Sequence, residues 1–134
     1  MKPIVACGTS EGENLFKNNF DDAPYFHLYK INVHGFEFID EIENIALKKP
    51  GNQEPEDEIK AKNISALLKA KSVNVLLAHQ MGPQIAKISK NFVAVISKEL
   101  NIETALDTVS NKLHLVEREW RKGDSREYLV LEKP

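Results

Sequence analysis

The chain has 134 residues, of which 42% are hydrophobic and 28% charged. This is the composition of one globular domain spanning 1–134, and it excludes a disordered or collagen-like chain. Lys plus Arg total 18 against 20 for Asp plus Glu, a net charge of −2, so there is no basic footprint for nucleic acid. No apolar run approaches the ~20 residues that span a bilayer, and the run before Gly8 is too short for a signal-peptide core. The single cysteine cannot form an internal disulfide and suits a reducing compartment. The expectation is a cytoplasmic protein with neither a membrane nor a nucleic-acid partner.

Ile4-Val5-Ala6-Cys7 is a short apolar run that stops at Gly8, as a buried strand does. Gly8 to Pro24 is rich in Asn, Asp, Glu and Gly and reads as a long loop, a feature that is often functional. A turn of helix at Asn14-Leu15-Phe16-Lys17 is its one structured candidate. Tyr25–Ile31 and Phe36–Ile42 both alternate, with Gly35 between them able to take the positive φ of a turn. They predict a β-hairpin in which Phe26 and Leu28 face opposite to Tyr25, His27, Tyr29 and Ile31. Lys48 to Asp57 is polar with two prolines and reads as an exposed connector.

Beyond it the period changes to about 3.6. Ile64, Leu67 and Leu68, with Ala61 one turn earlier, mark an amphipathic helix whose lysines form the solvated face. Val73–Ala78 is a nearly continuous apolar run, expected to be a strand covered on both sides. His79-Gln80-Met81-Gly82-Pro83 leads to a helix opened by Pro83. Phe92–Ile96 predicts another buried strand. Asn101 caps a helix with Ile102, Ala105, Leu106 and Val109 inward. Leu113–Trp120 and Glu127–Leu131 read as a terminal β-hairpin turning at Arg121–Ser125. The order is β-β-β-α-β-α-β-α plus that hairpin: an α/β domain, a mixed sheet with helices on its faces.

Ligands of open α/β sheets sit beyond the carboxyl ends of the parallel strands. Cys7-Gly8-Thr9-Ser10 and His79-Gln80-Met81-Gly82-Pro83 end there if their strands are neighbours. The expected binding rim is Cys7, Thr9, Ser10, His79, Met81 and Gly82, with Cys7 and His79 the metal-ligand candidates. Thiol and thioether are soft ligands, and imidazole accepts several transition metals. Thr9 and Ser10 are hydrogen-bond donors, Gly82 permits close backbone approach, and the helix opened by Pro83 offers N–H groups to an anion. A cysteine nucleophile activated by His79 or His27 lacks an orienting carboxylate. One cysteine cannot hold an ordinary iron–sulfur cluster or structural zinc. No phosphate-loop, dinucleotide or nucleophile-elbow motif occurs. Asp21 and Asp22 read as solvated loop carboxylates, and His27, His34, His114 and Trp120 as structural or surface residues.

Three stretches resemble one family. Ile4–Cys7, its loop and Asn19–Tyr29 are similar to a strand, an acidic-glycine loop and a His-Phe-Gly-x-Ala-x-x-Phe segment. Ile64–Leu68, Val73–Ala78 and Met81-Gly82-Pro83 are similar to a helix, a buried strand and a hydrophobic-Gly-Pro turn. Phe92–Ile96 with Ile102–Leu106 matches a last strand and helix. Together they resemble the dinitrogenase iron–molybdenum cofactor biosynthesis domain, the NifX/NafY-type proteins with a ribonuclease H-like fold, over residues 2–110, leaving 111–134 as an extension. Asn19 stands where that family usually has His, and Asp21 where it has Gly. The resemblance implies a non-enzymatic protein that transiently holds a labile iron- or molybdenum–sulfur cluster or a related anion, with a cofactor donor or acceptor protein as partner. Nuclease chemistry needs clustered carboxylates, and the first and fourth strands supply none. The alternative is an interaction or regulatory module without a cofactor, using Trp120, Tyr128 and Leu131 or a homodimer formed by strand addition.

Overall fold

The computed structural model describes residues 2–45, 56–82 and 90–132, with 56–61 by backbone alone. The apolar runs become strands: β1 (Ile4–Thr9), β2 (Tyr25–Asn32), β3 (Gly35–Glu43), β4 (Val75–Ala78), β5 (Val93–Ser97) and β6 (Leu129–Leu131). They form one six-stranded sheet in the order β3-β2-β1-β4-β5-β6. The β1–β2 and β2–β3 pairs are antiparallel, and β1–β4, β4–β5 and β5–β6 are parallel. The expected mixed sheet is therefore present, with β1 and β4 side by side.

All four residues of β4 are buried, as an unbroken apolar run in a central parallel strand should be. Three helices are described: α1 (Glu56–Ala70), α2 (Ile102–Asn111) and α3 (Leu113–Trp120). Asn101 caps α2 as its side chain predicts, accepting from the Thr104 N–H at 2.9 Å. Alternation along the strands divides the core in two. Val5, Cys7, Tyr29, Ile31, Leu77 and Val95 pack with Ile102, Leu106 and Val109 of α2. Ala6, Phe26, Leu28, Leu76 and Ala94 pack on the other face with Ile64 and Leu68 of α1. The two faces of β2 are those its alternation assigned; in β3 strict alternation would set Glu41 opposite to Phe36 and Phe38, but the bulge at Ile39 brings it to their face.

Four expectations change. Leu113–Trp120 is helix α3, not a strand, so no terminal hairpin forms. Leu113, Val116 and Glu119 are its buried positions, spaced three apart on one helical face, and the Leu-Leu alternation at 113 and 115 is incidental. β6 instead crosses back to lie parallel to β5, as a strand–helix–strand connection demands. The loop's structured turn is a 3-10 helix at Phe20–Asp22, not at 14–17. Asp21 is buried, 6% exposed, where a solvated carboxylate was expected. His114 is exposed, on α3. Most of the connector and the helix opened by Pro83 lie outside the described residues.

Candidate functional site

The carboxyl ends of β1, β4 and β5 lie together at one edge of the sheet, and the long loop after β1 is laced across them. Thr9 starts the lacing. Its buried hydroxyl donates to the Asn14 carbonyl at 2.6 Å and accepts from the Gly12 N–H at 2.9 Å and the Glu11 N–H at 3.3 Å. The chain can turn here because Gly12 takes a φ of +88°; a Cβ at that position would lie 2.7 Å from the His27 ring. The loop then reaches β5's exit, where Leu15 N–H donates to the Leu100 carbonyl at 2.7 Å and Ile102 N–H to the Glu13 carbonyl at 3.0 Å. Leu15 plugs the α2-side core beneath it.

On its way back the loop meets β4's exit. Phe20 N–H donates to the Gln80 carbonyl at 2.9 Å, and Gln80 Nε2 donates to Asn19 Oδ1 at 2.6 Å. Gly82 lies against the same side chain: a Cβ there would sit 3.0 Å from Asn19 Cγ. Asn44 ties down the end of the loop, donating to the Asp21 and Ala23 carbonyls at 3.0 and 2.8 Å.

His79 stands between these crossings. Its Nδ1 is 2.9 Å from the Ser97 carbonyl. A carbonyl only accepts, so Nδ1 carries the hydrogen, and in the neutral ring it is Nε2 of this half-buried imidazole that holds the lone pair.

The six predicted rim residues separate at this level. His79, Gly82 and exposed Ser10 belong to the rim. Cys7 does not reach it. Its side chain is wholly buried in the α2-side core, and that burial pushes the thiol far above its ordinary range, because a thiolate would have no water around it. Met81 is 6% exposed and packs on the opposite face of the sheet, with Phe20 and Ala78. Thiol, imidazole and thioether therefore do not converge, although their strands are neighbours. A two-residue period sends positions that are close in register to different faces. The Thr9 hydroxyl spends its hydrogen inside the loop and has none for a ligand.

Asn19 and Gln80 also belong to the rim, joined by their side-chain bond and by the Phe20 N–H to Gln80 carbonyl bond. The sequence signal for them was Asn19 standing where the resembled family usually has His. The His27 ring lies against Gly12 of the loop, and its Nε2 is 2.7 Å from the Glu41 carboxylate. Among the described residues, no group of three His, Cys, Asp or Glu is placed to hold a metal ion, so the donor set does not fit a resident metal centre. What it offers is one imidazole nitrogen, Nε2 of His79, beside amide side chains and backbone.

A six-stranded mixed sheet with helices on its faces, its parallel strands ending in a loop-built rim, defines a small α/β domain. The chain belongs to the dinitrogenase iron-molybdenum cofactor family, whose model matches residues 1–112. No curated protein matches it. The match ends at Lys112, between α2 and α3, so α3 and β6 lie beyond it. Their Leu113, Val116 and Leu131 nonetheless bury in the same cluster as Val95 and Leu106. No described helix is long and apolar enough to cross a membrane.

Proposed function

We propose that this member of the family is a non-catalytic cytoplasmic carrier. It holds a metal–sulfur cargo, an iron- or molybdenum–sulfur cluster or a related thio or oxo anion, at the rim of His79, Asn19, Gln80, Gly82 and Ser10. It passes that cargo between a donor and an acceptor protein. The observation that carries the reading is the fixed tautomer of His79. With Nδ1–H given to the Ser97 carbonyl, Nε2 is a neutral ligand held in one orientation, the arrangement second-shell carbonyls impose on metal-binding histidines. The amide side chains and backbone beside it suit the anionic sulfur or oxygen atoms of such a cargo. One imidazole in place of several thiolates makes a weak, reversible attachment, which a carrier needs.

The test is titration of anaerobically purified protein with tetrathiomolybdate and with a preformed iron–sulfur cluster, following bound metal and sulfur by elemental analysis after gel filtration. The expected result is one equivalent bound by the wild type and by Cys7→Ala, and none by His79→Ala. Equal binding by His79→Ala, or no binding by the wild type, would refute the reading. An interaction module built on a terminal hairpin has lost its basis, because that hairpin does not form.

A further inference from the structure

The sheet has two open edges, β3 and β6, and their side chains tell them apart. β3 carries Glu37, Asp40, Glu41 and Glu43 with no Lys or Arg, and its register against β2 shifts beside Leu28 and Tyr29, leaving Ile39 unpaired. A copy of itself laid alongside would bring like charges together, which is destabilising, and acidic side chains and bulges are how proteins keep edges single. β6, three residues long, carries neither an acidic side chain nor a bulge. Tyr128 and Val130, alternate residues on one face, are 53% and 48% exposed. On the other face Leu131 is buried and Leu129 packs against the same core.

We propose that β6 pairs antiparallel with the β6 of a second copy, about a two-fold axis through Leu129, making one continuous sheet across the dimer. The occupant of the edge is fixed by self-complementarity. In this register Tyr128 lies opposite the partner's Val130, an aromatic against a β-branched residue, and Arg126 lies opposite the partner's Glu132; symmetry repeats both pairs. Residues opposite one another share a face, so the exposed Tyr128 and Val130 of both copies join in one covered strip. Moving the axis by one residue, to Val130, sets Tyr128 against the partner's Glu132 and loses both pairings.

Arg126 is already positioned. Its guanidinium stacks 4.1 Å from the Trp120 ring centre, and Nε and one Nη bond the Trp120 and Lys90 carbonyls at 2.9 Å. Among the described residues the other Nη has no partner and can take a carboxylate. Glu132, paired with Lys98 at 2.6 Å, would bridge two cations. Because β6 runs parallel to β5, its end lies at the rim. Antiparallel pairing therefore sends the partner's rim to the far end of the dimer, giving two separate sites.

Sedimentation equilibrium of the full chain, from micromolar to millimolar concentration, tests the proposal. The mass should rise toward twice the 15.2 kDa of one chain. Val130→Lys, at an exposed position, should stay at the single-chain mass with an unchanged circular dichroism spectrum. The Tyr128→Cys/Val130→Cys double variant should oxidise to a covalent dimer and either single variant should not, Cys7 being buried and silent. A single-chain mass throughout, association undiminished by Val130→Lys, or single variants that cross-link as well as the double, would each overturn it. None of these readouts depends on cargo.

Discussion

Placing Cys7 in hydrocarbon has a measurable consequence that separates a packing residue from a ligand. The thiol is wholly buried, between the register partners His27 on β2 and Leu77 on β4. Cys7→Ser keeps the size but puts a hydroxyl where the surroundings are mostly apolar, at a cost of about 1–3 kcal/mol for a polar group without a full set of partners. Cys7→Ala removes one heavy atom and leaves a small void, costing about 1 kcal/mol. Serine should therefore be at least as destabilising as alanine, the reverse of the order for a surface ligand, where both would be near neutral. Urea denaturation followed by circular dichroism gives both differences. Alkylation of the wild type with iodoacetamide gives an independent measure. Reaction must wait for opening, and a stability of even ~5 kcal/mol slows it by roughly a thousandfold or more relative to the unfolded chain. Native-state labelling at the rate of an unfolded peptide, or a neutral Cys7→Ser, would refute the placement and return the thiol to the list of ligands.

Thr9→Val keeps the β-branched shape but removes the hydroxyl that serves Asn14, Gly12 and Glu11. It should cost about 2–3 kcal/mol and raise amide hydrogen exchange across residues 11–15 ahead of the sheet. Gly82→Ala should destabilise by forcing its Cβ to 3.0 Å from Asn19, and Asn19→Ala should relieve most of that cost. A double-mutant cycle in thermal melts checks this, and additive effects would contradict the contact. Glu119 is 4% exposed. Burial alone would raise its pKa, but the hydrogen bonds from Lys122 and the Glu127 N–H, with the charges of Lys122 and Arg118, bring it below its ordinary value. A folded-state pKa below the unfolded one gives stability that is present above about pH 4.5 and lost as pH falls through the folded value. Glu119→Gln should therefore lower stability at neutral pH and lose part of the acid-side slope, measured by urea midpoints between pH 3 and 7.

Much of this protein could be read locally. Alternation from Tyr25 to Ile31 specified β2 and the face of each of its residues, but in β3 the bulge at Ile39 reverses the phase and puts Glu41, not Ile42, on the face of Phe36 and Phe38. The apolar run 73–78 announced a strand covered on both sides, which forms over 75–78, and Asn101 with Ile102, Ala105, Leu106 and Val109 fixed a helix, its cap and its inward face. These features depend on residues within a few positions of one another, so periodicity and capping suffice. Leu113–Trp120 misled because over its first four residues a strand and a helix give similar apolar patterns, and the buried face at 113, 116 and 119 is defined only by what α3 packs against.

The rim was half legible. Strand order put Thr9 and His79 at the same edge, but being neighbours in register does not decide which way side chains point. Whether Cys7 and Met81 faced a ligand or opposite cores depended on the pleat of strands brought together from positions 7 and 81. The bonds that shape the rim, Asn19 to Gln80, Leu15 to Leu100 and Glu13 to Ile102, join residues 61, 85 and 89 positions apart. The sequence by itself determined most of the strands and helices, 113–120 excepted, and which of their residues are apolar. Only the tertiary structure decided which polar atoms are used up inside the loop and which imidazole nitrogen is left over, because those partners meet only when the sheet is assembled.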